Sequence, residues 1–196
     1  MKIAIIGAGI SAITIAKNLK SIANVSLFEK SSGVGGRMAT RLSSPYDFDH
    51  GAQFFTAKSL NFKNFIEPLI KKGIIQQWDA RFSEFKNNKI LRNITWDSEF
   101  PHYVGVPGMN SISKYLSKDL DVKLEAKVNK IIKNSTSSWQ LLDDNKNDLG
   151  RFDWVVSTAP AVQSAEILPK FFKYHSDLLN RKMVGCFSLM LGFKKA

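Results

Sequence analysis

Apolar and polar positions change period twice between Lys2 and Glu29. Ile3, Ala4, Ile5 and Ile6 form an unbroken apolar run that stops at Gly7, the pattern of a strand buried on both faces of a parallel sheet. Ala12, Ile13, Ala16 and Leu19 then recur at i, i+1, i+4 and i+7, which puts them on one face of a helix. Val25, Ser26, Leu27 and Phe28 make a second strand, ending on Glu29. Residues 59–72 return to helical period, with Phe62, Phe65, Ile66, Leu69 and Ile70 on one face. Pro68 falls inside that pattern and predicts a kink or a new first turn. Residues 74–81 and 81–85 read as strands, with Asn87-Asn88 as a turn before Lys89, Ile90 and Leu91. Pro107-Gly108 is a turn signal, after which Met109, Ile112, Tyr115 and Leu116 give another helical face. Strands are expected at 122–124, 127–133, 139–143 and 152–156, with a polar loop at 143–150 and a last strand starting near Phe187. Strands and helices so alternated predict an α/β fold.

The turn between the first strand and the first helix carries chemistry. Gly7-Ala8-Gly9-Ile10-Ser11-Ala12 fits G-x-G-x-x-G/A. Gly7 permits the tight turn, Gly9 lets backbone approach a pyrophosphate, and Ala12 lets the helix pack on the strand. The N–H groups and positive dipole end of that helix would face phosphates. Glu29 stands where an acid accepts a ribose 2′-hydroxyl, and a carboxylate there disfavours a 2′-phosphate. The pattern thus points to a bound dinucleotide; its bland alternative is a βαβ unit without a ligand.

Gly33, Gly35 and Gly36 follow, then Arg37, in a loop that also holds Ser31, Ser32 and Thr40. Small residues allow close backbone approach, and a guanidinium pairs with phosphate oxygens. With GxGxxA, the terminal Glu29 and this GGR, the stretch from Ile3 to Arg37 resembles FAD-binding flavoproteins of the amine oxidase type. Asp49-His50-Gly51-Ala52-Gln53-Phe54-Phe55-Thr56 further resembles the D-x-G-A-Q-[FY] segment of renalase-like members. Read from the residues alone, Gly51 and Ala52 let backbone pass close to a planar ring and Gln53 offers an amide; a buried edge with a glycine bulge is the alternative.

The resemblance implies an FAD/NAD(P)-binding Rossmann-like domain with a β-meander and an inserted, incomplete α+β substrate domain. Its segments would be the first part of the FAD domain at 1–58, the insertion at 59–104, the second part at 105–160 and the start of a second substrate segment at 161–196. The implied cofactor is FAD. Its binding residues would be Gly7, Gly9, Ile10, Ser11, Ala12, Glu29, Lys30, Gly36, Arg37 and Met38, with Gly51, Ala52 and Gln53 beside the isoalloxazine and Val128 contacting adenine through its backbone. Ser157-Thr158-Ala159-Pro160 would be the small-residue turn ending the returning strand near the cofactor. The implied activity is an FAD-dependent oxidase, passing hydride from a small molecule such as a dihydronicotinamide isomer or an amine to flavin and then to O2, giving hydrogen peroxide. Flavin would carry the chemistry, so no catalytic side chain is named. Members of the family continue past this chain's last residue, and no second GD-type flavin motif is present. A C-terminally truncated enzyme is therefore expected, with an inactive FAD- or NAD-binding module or half of a split flavoprotein as the alternative.

Composition trims this picture. The net charge of +11 raises nucleic acid or an anionic surface as a partner, but the excess is mostly scattered lysine and no nucleic-acid motif appears, so a solvated surface is expected. No apolar run approaches a membrane span, and no signal peptide is evident because Gly7 and Gly9 interrupt the N-terminal apolar run. One cysteine, Cys186, excludes an internal disulfide and is expected to be a buried small residue; a cytoplasmic protein is expected. His50, His102 and His175 lack metal-ligand spacing, so no metal is expected. Trp78, Phe82, Phe85, Trp96, Phe100 and Tyr103 are expected core residues or walls for a flat substrate, and His102 a possible base or hydrogen-bond partner.

Overall fold

The computed structural model describes residues 1–95, 101–134 and 137–194. Trp96 and Phe100 lie outside these, as does the side chain of Phe82. In chain order the elements are β1 (Lys2–Ile6), α1 (Ile10–Leu19), β2 (Asn24–Phe28), a 3-10 turn (Gly36–Met38), β3 (Thr40–Ser43), β4 (Tyr46–Asp49), β5 (Phe55–Thr56), α2 (Leu60–Lys71), β6 (Ile75–Gln77), β7 (Arg81–Lys86), β8 (Lys89–Thr95), β9 (His102–Gly105) and α3 (Asn110–Leu116). There follow β10 (Asp121–Lys123), β11 (Val128–Lys133), β12 (Trp139–Asp143), β13 (Asp148–Phe152), β14 (Trp154–Ser157), α4 (Ala161–Ile167) and α5 (His175–Leu179). Two compact units result: Met1–Arg37 with Leu116–Leu189, and Met38–Tyr115 with Met190–Ala196. Among the described residues no helix is long and apolar enough to cross a membrane.

The first unit is built on a parallel sheet of order β10-β2-β1-β14. Successive strand side chains point to opposite faces, so the apolar run of β1 feeds two layers. Ala4 and Ile6 join Phe28, Val128, Ile131, Leu141 and Phe152 in a core between the sheet and the antiparallel meander β11-β12-β13. There the Phe28 and Phe152 rings meet edge to face, centroids 5.6 Å apart. Helix α1 lies against β1 and β2 and buries Ala12, Ile13 and Ala16. After the meander, β14 re-enters the sheet parallel to β1, as the returning strand expected from the resemblance. At the other edge Ser26 donates to Asp121 at 2.6 Å, and Lys123 pairs with the same carboxylate at 2.9 Å. Burial alone would raise the Asp121 pKa, but these two partners outweigh it and hold the carboxyl below its ordinary range.

The second unit carries small antiparallel sheets: β3-β4, β5-β9-β6 and β7-β8. Asn87 and Asn88 have φ of 50° and 59°, the left-handed pair that a two-residue hairpin turn needs, which is why this turn was legible. Helix α2 is capped by Ser59, whose hydroxyl accepts from Phe62 N–H at 3.3 Å, and it buries Ile66 and Leu69. Phe55 stacks on Tyr103 and meets Phe62 edge to face. Asp49 and Thr40 hold the start of α3: Asp49 Oδ1 accepts from Thr40 Oγ1 at 2.5 Å and Met109 N at 3.0 Å, while Thr40 Oγ1 accepts from Asn110 N at 3.2 Å.

Of the two readings at Pro68, a new first turn is excluded, because α2 runs on through it. A proline this near the end removes one ladder bond, while burial of Ile66 and Leu69 around it holds the turn. The polar loop at 143–150 is shorter than expected because β13 begins at Asp148. Asp143 closes the turn by accepting from the N–H groups of Asn145 and Asn147, both at 2.8 Å, and from Asn147 Nδ2 at 2.9 Å. The stretch expected at 152–156 divides at Asp153, with Phe152 ending one strand and Trp154 opening the next. The strand expected near Phe187 is absent: residues 181–190 have no regular structure, and Val184, Phe187 and Leu189 stand in solvent. Cys186 is exposed, not buried. No described strand pairs with this segment, so nothing supplies a ladder or a face to pack against.

Candidate functional site

The site grows from the ends of β1 and β2 in the first unit. Gly7 ends β1 with φ +103°, a conformation side chains rarely adopt, and a Cβ there would stand 2.6 Å from Thr158 Oγ1. Its N–H donates to Phe28 O at 2.8 Å. Ala8, fully buried, donates its N–H to Glu29 Oε2 at 2.8 Å, and its carbonyl accepts from Gly35 N at 2.9 Å. Gly9 is the N-cap of α1 and has no side chain to cap the first turn, so the turn's orphan N–H groups are left for an outside acceptor. Ile10 and Ser11 form that first turn, Ser11 exposed, and Ala12 packs at 0% exposure.

The second glycine turn docks on the first. Gly9 and Gly35 form a parallel bridge, and a Cβ on Gly36, whose φ is +56°, would stand 3.2 Å from Gly9 Cα. Backbone therefore lies on backbone where GxGxxA meets GGR. Arg37 follows with an exposed side chain, as does Lys30 on the other arm of the loop; among the described residues neither forms an ion pair. A concave backbone with an uncapped helix start and two cations nearby suits an anionic group.

Glu29 is 8% exposed, and its carboxylate is already engaged. Oε2 accepts from Ala8 and Oε1 from Ser31 N–H at 2.9 Å. Its own N–H donates to Lys123 O at 2.8 Å, and its carbonyl accepts from Ala126 N at 2.9 Å. A carboxylate has about four lone-pair sites, so two remain for a ribose hydroxyl. Sequence reasoning gave Glu29 a ligand and missed its hold on Ala8 and Ser31, which no local pattern marks. Val128, two residues past Ala126, opens β11 and is buried in the core, so what it can offer a ligand is backbone.

Gly7, Gly9, Ile10, Ser11, Ala12, Glu29, Lys30, Gly36, Arg37 and Val128 thus share the first unit. Met38, Gly51, Ala52 and Gln53 belong to the second. Met38 and Ala52 are half-buried, Gly51 and Gln53 exposed, and residues 50–54 form an irregular connection between β4 and β5. Asp49, quoted for its motif, accepts from Met109 N–H just ahead of α3. His102 sits on β9 with its ring 5.0 Å from that of Phe54, which in turn lies 6.2 Å from Trp78.

Residues 5–69 match a family model described as an NAD(P)-binding Rossmann-like domain. The match runs from the end of β1 through the glycine turn, α1, β2, Glu29 and the second glycine turn, and on into α2. The chain therefore carries a Rossmann-like dinucleotide-binding domain of the kind typical of oxidoreductases.

Proposed function

We propose that the chain is a renalase-like, FAD-dependent oxidoreductase of the amine oxidase type. The observation that carries this reading is the second glycine turn seated on the first, Gly36 against Gly9. A simple NAD domain proceeds from its acidic residue to the next helix and has no use for that turn.

In this reading the first-turn N–H groups of Gly9, Ile10, Ser11 and Ala12 bind the pyrophosphate, with Arg37 and Lys30 adding positive charge. Glu29 accepts from the ribose through its remaining lone pairs, and Val128 offers backbone to adenine. Met38, Gly51, Ala52 and Gln53 line the flavin ring, and the insertion at 59–104 supplies the substrate side. Bound FAD would supply two-electron chemistry, taking a hydride from a dihydronicotinamide isomer or an amine and passing the electrons to O2 as hydrogen peroxide. The chain's own part is to bind, orient and exclude water. The protein would work in the cytoplasm on a small molecule, without nucleic acid.

The test is a visible spectrum of the purified chain before and after adding FAD, then anaerobic reduction by a dihydronicotinamide. A flavin band that bleaches is expected. A chain that takes up no FAD sinks the reading. Bound flavin that no reductant bleaches favours the second reading, a dinucleotide-binding module without catalysis. That reading draws on residues 181–190, whose apolar side chains stand in solvent instead of lining a site.

A further inference from the structure

We infer that Thr158 is a positioning residue for the dinucleotide turn, setting the peptide that leads into Gly7 from the flank of β1 opposite β2. The inference rests on the dinucleotide reading only for what the turn binds. Its ground is the backbone of residues 6–9. Ile6 O, the last carbonyl of β1, accepts twice from one residue: Thr158 N–H at 3.0 Å and Thr158 Oγ1 at 2.9 Å. A carbonyl has two lone pairs, so both are spent on Thr158. On the other edge of the same peptide, Gly7 N–H donates to Phe28 O at 2.8 Å. The Ile6–Gly7 peptide is thus gripped from β14's end on one side and from β2's end on the other.

Held this way, the peptide carries Gly7 into its +103° conformation, and the hydroxyl that holds it fills the space a Gly7 side chain would need. The next two peptides are gripped in turn, Gly7–Ala8 by Glu29 through its N–H and Ala8–Gly9 by Gly35 through its carbonyl. The turn is therefore set from outside itself before any ligand arrives, which spares the ligand the ordering cost. A bond from the amide of residue 158 alone would come from any residue; the second bond and the filled space need a β-hydroxyl. Serine satisfies this, and alanine does not.

The experiment uses the full chain with Thr158→Ser and Thr158→Ala, titrated with FAD, and amide hydrogen exchange of each without ligand. Thr158→Ala should weaken FAD binding about tenfold, the loss of one hydrogen bond, and Thr158→Ser should stay within about threefold of the parent. In the free protein Thr158→Ala should speed exchange at Gly7 and Ala8 about tenfold relative to Ile3, Ala4 and Ile5, a ratio that overall destabilisation would leave unchanged. Parent-like affinity, or a parent-like exchange ratio, in Thr158→Ala overturns the inference. If the parent itself binds no FAD, the FAD reading fails, and the exchange ratio still decides on Thr158. Should Thr158→Ala not fold, Thr158→Val fills the same space without the hydroxyl and is judged by the same two readouts.

Discussion

Removing the Glu29 side chain should damage the protein before any ligand is added. Its two carboxylate oxygens accept from Ala8 N–H at 2.8 Å and Ser31 N–H at 2.9 Å, and the residue is 8% exposed. Hydrogen bonds to a charged acceptor contribute roughly 1.5–3 kcal/mol each, and a buried donor left without a partner costs about 1–3 kcal/mol. Ala8 is fully buried, so its N–H finds no water, whereas Ser31 is exposed and can be solvated. Only the first bond therefore counts in full, and Glu29→Ala should cost about 2–3 kcal/mol. Glu29→Gln keeps one acceptor oxygen, which can serve Ala8, and should cost roughly half as much. The assay is urea denaturation of the ligand-free chain, read by circular dichroism, with FAD titration of whatever remains folded. Both variants should lose stability in that order, and affinity should fall by a further 1–3 kcal/mol or so in Glu29→Ala. A Glu29→Ala chain as stable as the parent would refute the clamp, and one with parent-like affinity would remove the ribose contact.

Three further outcomes are expected. Ser113 is fully buried on α3 and its hydroxyl has no hydrogen-bond partner among the described residues, so Ser113→Ala should raise stability by about 1 kcal/mol in the same denaturation assay; a clear loss would mean that the hydroxyl is bonded. Ser26 and Lys123 hold the Asp121 carboxyl below its ordinary range, so its contribution is present above the unfolded-state pKa and is lost as pH falls through the folded one. Thermal melts below about pH 4 should therefore lose more in the parent than in Asp121→Asn, and equal acid slopes would count against the Ser26 and Lys123 bonds. Cys186 stands exposed, so a thiol reagent should label one site per chain without denaturant at the rate of a free cysteine; labelling that needs urea would show the segment packed.

The sequence by itself determined those parts whose physics is local. The strand of Ile3 to Ile6, the glycine turn, the helix carrying Ala12 and Ala16, and the Asn87-Asn88 hairpin each follow from side-chain period and backbone conformation within a few residues. The dinucleotide turn was legible for the same reason, since glycine is required wherever backbone must bend left or lie against backbone. Tertiary structure alone decided what those elements hold. That Glu29 grips Ala8, that Thr158 fills the space over Gly7, and that Gly36 rests on Gly9 depend on residues brought together from far along the chain, and no periodicity records such meetings. The misreading around Cys186 and Phe187 has one origin: apolar character predicts a strand or a buried thiol only if a partner surface is assumed, and burial is settled by whether that surface is there.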